Sequence, residues 1–245
     1  MGNVIVTGGS RGLGLGIAKA LRSAGHDVIA VARSESEHLS AAMNDPESTG
    51  PAGSIRFEAC DLGRVDELAA FVKRVRKTHG PIFGLVNNAG IGTSGMLSTM
   101  RDADIESLLR MNTLSPLMLT KYVVRSMMGG QGGRIVNIAS IVGFTGYSGL
   151  SVYSSTKSSM VGFTRSLARE LGPLDITVNA VAPGFVDTAM TADLGDQQRD
   201  QIIRRSALRR LAQSEDVAGA VEFLLSPRAK NITGTTMTVD AGNTA

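Results

Sequence analysis

VIVTGGSRGLG, Val4–Gly14, joins a short β-branched run to a glycine-rich turn, and a helical pattern opens at its last residue. The run reads as a strand. Gly8, Gly12 and Gly14 follow it in the spacing GxxxGxG, with Ser10, Arg11 and Leu13 between them. Glycine permits the tight turn and lets a phosphate approach the backbone. The helix N-terminus then offers unpaired N–H groups and a positive dipole end. A purely structural turn is the alternative. The position between a first strand and a first helix is the context that a dinucleotide-binding turn requires.

Outward from this turn, short apolar runs alternate with longer amphipathic ones. Strands are expected at Val4–Thr7, Asp27–Ala32, Ile55–Ala59, Ile82–Val86, Arg134–Ala139, Asp175–Ala182 and Thr235–Val239. Helices are expected between them, among others at Gly14–Ala24, Val65–Thr78, Ile105–Met128 and Tyr153–Gly172. Nearly continuous apolar strands separated by helices indicate a parallel sheet covered on both faces, the doubly wound α/β pattern. One domain over residues 1–245 is expected, with no internal repeat. NDPESTGPAG, Asn44–Gly53, reads as a loop between a helix and a strand. The irregular stretch Asp187–Leu211, with its helical, Arg-rich piece, interrupts the pattern just after a strand end. Open parallel sheets bind ligands there, so this stretch reads as a lid.

The end of the second strand carries Arg33, in VARSE. A site preferring NAD often places an acid there for the ribose 2′-hydroxyl. Arg33 and Arg11 together would suit a 2′-phosphate, so NADP(H) is the expected cofactor. Glu35 lies close by, and each arginine alone also reads as a solvated surface residue. The formal charge is +3, with acids and bases interspersed. That lacks the electrostatic footprint of a nucleic-acid partner. Cys60 is the only cysteine, which forbids an intrachain disulfide, and reads as a small buried apolar residue. His26, His38 and His79 lack the spacing of a zinc site. No signal-peptide pattern precedes the first strand and no apolar run would span a bilayer. A soluble cytoplasmic protein with no membrane partner is expected.

VYSSTK, Val152–Lys157, puts a tyrosine and a lysine four residues apart, one above the other on a helix face. A phenol beside a fixed positive charge is a stronger acid than a free phenol. The pair reads either as a tuned proton donor or as an ordinary amphipathic pair with a snorkelling lysine.

TGGSRGLG, NNAG (Asn87–Gly90), YSSTK and APG (Ala182–Gly184), in this order, resemble the short-chain dehydrogenase/reductase family over essentially the whole chain. NNAGI, GRIVNIAS, SLAREL, ITVNAVAPGF and DTAM look closest to its 3-oxoacyl-[acyl-carrier-protein] reductases. The resemblance implies a Rossmann-type fold and an NADPH-dependent reduction of a ketone to a secondary alcohol, with a 3-oxoacyl thioester as the first expected substrate. It implies Tyr153 as catalytic acid/base, with Lys157 lowering its pKa and holding the nicotinamide ribose. Ser140 would bond the substrate carbonyl, and Asn112 would organise a water linking Lys157 to solvent. Gly8, Ser10, Arg11, Gly12, Leu13 and Gly14 would form the phosphate turn, and Arg33 would meet the 2′-phosphate. Asp61 and the backbone at Leu62 would contact the adenine. Asn88, Ala89 and Gly90 would line the cofactor channel, while Pro183, Gly184, Val186 and Thr188 would pass along the nicotinamide. Read as residues alone, Ser140 is also a strand-end cap and Asn112 a polar gap-filler in a helix. Asn87 is expected to tie adjacent strands together. The scheme needs no metal.

The resemblance also implies a homotetramer or homodimer and an acyl carrier protein as partner. Carrier-protein reductases often show basic residues just before the GRI and ITVN strands. Here those stretches are MMGGQGG (Met127–Gly133) and GPLD (Gly172–Asp175). Arg125 remains, and the lid adds Arg204, Arg205, Arg209 and Arg210, which read either as a carrier dock or as a solvated face. Two further readings stay open: a reductase or dehydrogenase of a small free ketone or secondary alcohol, and a non-catalytic nucleotide-sensing homologue. The intact Ser140, Tyr153 and Lys157 argue against the second of these.

Overall fold

The computed structural model describes residues 2–45, 53–130, 132–186 and 195–245. The seven apolar runs become β1 (Asn3–Thr7), β2 (Asp27–Ala32), β3 (Ile55–Ala59), β4 (Ile82–Asn87), β5 (Gly133–Ile138), β6 (Ile176–Pro183) and β7 (Thr236–Val239). They form one sheet in the order β3-β2-β1-β4-β5-β6-β7. Every neighbouring pair is parallel. The strand order reverses between β1 and β4, which opens a crevice beyond their carboxyl ends. Thr7 ends β1 and Asn87 ends β4, so the TGGSRGLG and NNAG turns leave the sheet side by side at that crevice.

Helices cover both faces, as the unbroken apolar strands require. On one face α1 (Gly12–Ser23) and α8 (Ser214–Leu225) bury Ile17, Leu21, Val221 and Leu224 against Val6 and Val136. On the other, α3 (Leu68–His79), α5 (Ser115–Met127) and α6 (Ser151–Leu171) bury Phe71, Val123 and Leu171 against Ile5, Leu85 and Ile135. Local chemistry sets the ends. The Ser36 hydroxyl accepts the Leu39 N–H at 3.2 Å and opens α2 (Glu37–Met43). Gln213 and Asp216 cap α8 reciprocally. Gly80, at φ 92, stops α3.

Several expected boundaries move for identifiable reasons. Asp175 has φ 56 and closes the turn before β6 instead of starting the strand. Two tight turns, Arg64 to Asp61 and Glu67 to Arg64, delay α3 from Val65 to Leu68. The uninterrupted helix expected over Ile105–Met128 is broken. It runs as α4 (Asp102–Leu109), a π turn at Arg110–Leu114, and then α5. Within Asp187–Leu211, residues 187–194 lie outside the described residues, and Thr188 with them. The Arg-rich piece is α7 (Asp196–Arg205). Most of the loop expected over Asn44–Gly53 likewise lies outside the described residues. Among the described residues no helix is long and apolar enough to cross a membrane.

Candidate active site

The glycine turn holds conformations and contacts that a side chain would spoil. Gly8 has φ 66 and Gly12 φ 54. A Cβ on Gly14 would sit 2.1 Å from the Gly8 carbonyl oxygen and 2.6 Å from Asn88 Nδ2. A Cβ on Gly12 would meet nothing within 4 Å, so the turn is open there. α1 begins at Gly12 with no side-chain cap and no acid in its first turn. Its leading N–H groups are therefore available to an anion. The Ser36 hydroxyl donates to the Ser10 carbonyl and ties the turn to α2. Leu13 packs against the α1–α8 core.

Thr7 fixes the neighbouring turn. Its Oγ1 accepts from the backbone N–H groups of Asn88 and Ala89, both at 2.9 Å, and donates to the Val86 carbonyl at 3.2 Å. Asn88 Nδ2 donates back to the Thr7 carbonyl at 2.9 Å. The next residues rest on Asn112, buried on the π turn. Asn112 Oδ1 accepts from Ile91 N, and Nδ2 donates to Ile91 O, each at 2.9 Å. Nδ2 also reaches Thr156 Oγ1 at 3.3 Å. The Asn112 amide thus clamps the NNAGI turn to α6, which leaves it only acceptor capacity for a water. Gly90 fits into this corner: a Cβ there would be 3.2 Å from Asn112 Oδ1 and 3.8 Å from Lys157 Nζ.

Ser140 follows β5 in an extended conformation and opens the turn Ile141–Gly143. That turn lies directly on α6. A Cβ at Gly143 would come 3.0 Å from the Lys157 backbone. Ser154 Oγ donates to the Val142 carbonyl at 2.5 Å, and the Ser158 hydroxyl donates to the Gly143 carbonyl. These struts set the Ser140 hydroxyl beside the Tyr153 phenol. Lys157, buried on the next turn of α6, donates from Nζ to the Ile138 carbonyl at 2.9 Å. The same nitrogen lies 5.7 Å from the Tyr153 ring centroid.

Burial dominates the electrostatics here. It pushes the Tyr153 phenol up to about 12, with the Ser140 hydroxyl pulling weakly the other way. It brings the Lys157 ammonium down to about 8. The lowering of Tyr153 by Lys157 expected from the sequence does not overcome burial in the protein alone. The ammonium points at a backbone carbonyl, and desolvation outweighs any help it gives the phenolate.

The remaining candidate residues lie on the glycine turn and at or just beyond the carboxyl ends of β2, β3 and β6. Arg11 and Arg33 are both exposed and have no ion-pair partner among the described residues. Glu35, the nearby acid, instead accepts from the Ser40 hydroxyl. Asp61 is exposed beyond β3, its Oδ1 accepting the Gly63 N–H at 2.9 Å. The Leu62 and Val186 side chains are buried in the core, so only their backbones can reach a ligand. Pro183 ends β6, and Gly184 N donates to the Val239 carbonyl at 2.9 Å. Gly184 needs its bare backbone, since a Cβ would fall 2.7 Å from Asp240 Cβ. The Cys60 thiol, just before Asp61, is pushed by burial up to about 11.

Asn87 stands behind the site, donating to Asn137 Oδ1 at 2.8 Å and to Thr120 Oγ1 at 2.9 Å. Asn137 donates on to Thr164 Oγ1 at 2.9 Å. This buried chain ties β4 to β5 and both to α5 and α6, as expected of Asn87. Sequence reasoning missed Thr7, Ser154, Thr156 and Ser158. The serines and threonine interleaved with Tyr153 and Lys157 were the available signal.

The model of the short chain dehydrogenase family matches residues 2–199. The chain is 38% identical over 238 residues to the 3-oxoacyl-[acyl-carrier-protein] reductase FabG of Vibrio cholerae, covering 97% of this chain and 95% of that protein. It is 40% identical over 240 residues to the FabG of Haemophilus influenzae, covering 97% and 96%. Among solved structures, a short-chain dehydrogenase/reductase from Serratia marcescens superposes with a TM-score of 0.91 at 33% identity, covering 100% of this chain and 98% of that one. A short chain dehydrogenase from Burkholderia cenocepacia in complex with NADP gives 0.90 at 34% identity, covering 99% and 97%.

Proposed function

The chain belongs to the short-chain dehydrogenase/reductase family, and from that premise we propose that it is an NADPH-dependent ketoreductase whose first substrate is a 3-oxoacyl thioester. The observation that carries this reading is the set of Ser140, Tyr153 and Lys157, held together by struts from α6 itself. The crevice fits a phosphorylated dinucleotide. The N-terminus of α1 lacks a side-chain cap, Gly12 is open, and Arg11 and Arg33 stand without ion-pair partners among the described residues. The bound cofactor would supply the hydride and, once oxidised, a positively charged ring.

The residues manage the oxygen and the proton. Ser140 and Tyr153 donate hydrogen bonds to the carbonyl oxygen, where negative charge gathers in the transition state. Tyr153, kept protonated by burial, passes its proton to that oxygen. Lys157 lies one helical turn away and holds the ribose hydroxyls. Asn112 keeps the NNAGI turn and α6 in register so that these groups stay aligned. Arg11 and Arg33 select the 2′-phosphate. α7 acts as part of a lid: Asn243 bonds its Ile202 carbonyl at 3.4 Å and accepts from Tyr147 at 3.3 Å, on the loop leading to α6.

A reductase of a small free ketone is the second reading. It is favoured by the lack of basic residues in MMGGQGG and GPLD, before β5 and β6. The deciding experiment follows NADPH and NADH consumption with a 3-oxoacyl thioester and with free ketones of matched length. NADPH should be preferred, with the thioester the better substrate. Equal kcat/KM for the two cofactors would remove the role of Arg11 and Arg33. A clear preference for the free ketones would replace the thioester reading.

A further inference from the structure

The turn that leads from α7 into α8 builds a basic concavity whose lining includes no residue of the glycine turn. A cleft of about 400 Å³ is lined by Arg199, Arg209 and Arg210. Its apolar surface comes from Ile203, one helical turn beyond Arg199 on α7, and from Leu211. Asp216 also lines it, but its Oδ2 already accepts the Gln213 N–H at 2.8 Å in the α8 cap. Among the described lining residues Arg209 and Arg210 alone outnumber this single carboxylate. Neither Arg209 nor Arg210 has an ion-pair partner among the described residues.

The backbone presents these arginines in a fixed way. Arg209 has φ 53, a left-handed conformation rare outside glycine. The surrounding turn holds it there. Arg209 N donates to the Ser206 carbonyl at 3.0 Å, Leu208 N donates to the Ala241 carbonyl at 3.0 Å, and the Arg209 guanidinium donates to the Arg204 carbonyl. Backbone strain kept by several independent bonds is a feature of ligand clamps. The cleft also stands at the functional end of the sheet. Ala212, next to Leu211, pairs with Val186 just beyond the carboxyl end of β6.

We propose that this cleft is an anion subsite for a phosphate monoester carrying a short aliphatic stem. Guanidinium forks match phosphate oxygens in charge and geometry. The Ile203 and Leu211 side chains give the stem an apolar seat that inorganic phosphate alone would not use. The volume lies within the range of small-ligand pockets, about 300–1,000 Å³.

The test uses the whole chain and two probes, butyl phosphate and inorganic phosphate, titrated calorimetrically. Butyl phosphate should saturate and bind more tightly than inorganic phosphate. Arg210→Ala combined with Arg209→Asn should weaken butyl phosphate at least about tenfold, the cost of losing charge-assisted bonds. Asparagine is chosen because it tolerates the positive φ at that position. Ile203→Ser should remove the advantage of butyl phosphate over inorganic phosphate. Arg33→Ala removes only the phosphate seat in the crevice at the end of β2 and should leave the advantage of butyl phosphate over inorganic phosphate in place. Thermal unfolding of each variant confirms that it folds, and Arg210→Lys serves as a conservative partner expected to keep partial binding. The proposal is overturned if butyl phosphate does not saturate. It is equally overturned if binding follows Arg33 and ignores Arg209 and Arg210, which would place the anion in the cofactor crevice.

Discussion

Tyr153 and Lys157 share a wall of α6 yet are perturbed in ways that serve different ends. Tyr153, held protonated by burial, is a donor that must be pulled to release its proton. Tyr153→Phe keeps the ring and its packing. Turnover should fall at least ~100-fold while NADPH affinity, read by fluorescence, stays near normal. Near-normal turnover would strip Tyr153 of its role. Lys157 titrates near 8, within reach of ordinary buffers. An anionic dinucleotide favours the charged ammonium. NADPH affinity should therefore be full below pH 8 and weaken as the pH rises through that value. Lys157→Met should bind more weakly and lose this pH step; a step that survives belongs to another group. The candidate residues Ser140, Tyr153 and Lys157 were legible in the sequence because they lie within one short motif and its partners. Their supports were not. Ser154, Thr156 and Ser158 read as generic polar helix positions, and nothing local to Thr7 reveals that Asn88 and Ala89 come to its hydroxyl.

The glycine turn behaves as an element, and two substitutions separate its two demands. Gly14→Ala drives a methyl group into the Gly8 carbonyl and Asn88. The turn and its neighbour must both shift, so stability should fall by about 1–3 kcal/mol, together with cofactor binding. Gly12→Ala meets no atom and suffers only its positive φ, roughly 1–2 kcal/mol. Its methyl projects where an anion would approach the start of α1. Gly12→Ala should therefore lose cofactor affinity out of proportion to its loss in melting temperature, whereas Gly14→Ala loses both. Equal ratios in the two variants would show that the open space at Gly12 has no ligand. The π turn at Arg110–Leu114 shows the limit of reading elements from pattern. One widened turn hardly disturbs the spacing of Leu108, Leu119 and Val123, so the apolar period ran on smoothly across the break. What the break achieves, burying Asn112 towards Ile91 and Thr156, depends on segments far away in the chain.

At the scale of the whole molecule, the sheet was legible because the alternation of apolar runs and helices admits few arrangements. The strand order and its reversal at β1 and β4 follow that logic. Substrate choice was less legible, because no single motif carries it and the charges the helices present read in more than one way. Arg204 and Arg205 stand exposed at the end of α7. If an acidic carrier approaches there, kcat/KM for a carrier-bound substrate should fall as salt rises, while that for an uncharged ketone stays flat. Changing both arginines to Ala should abolish the difference; identical salt responses in the wild type would identify a solvated face. Cys60 has a consequence of another kind. It is the chain's only sulfhydryl, half-buried between β3 and Asp61, and almost wholly protonated at neutral pH. The folded protein therefore carries a built-in chemical clock. Iodoacetamide should label it far more slowly than the unfolded chain, and each alkylation event would time an opening of this end of the sheet. Mass spectrometry could then follow how a bound dinucleotide lengthens the interval between openings.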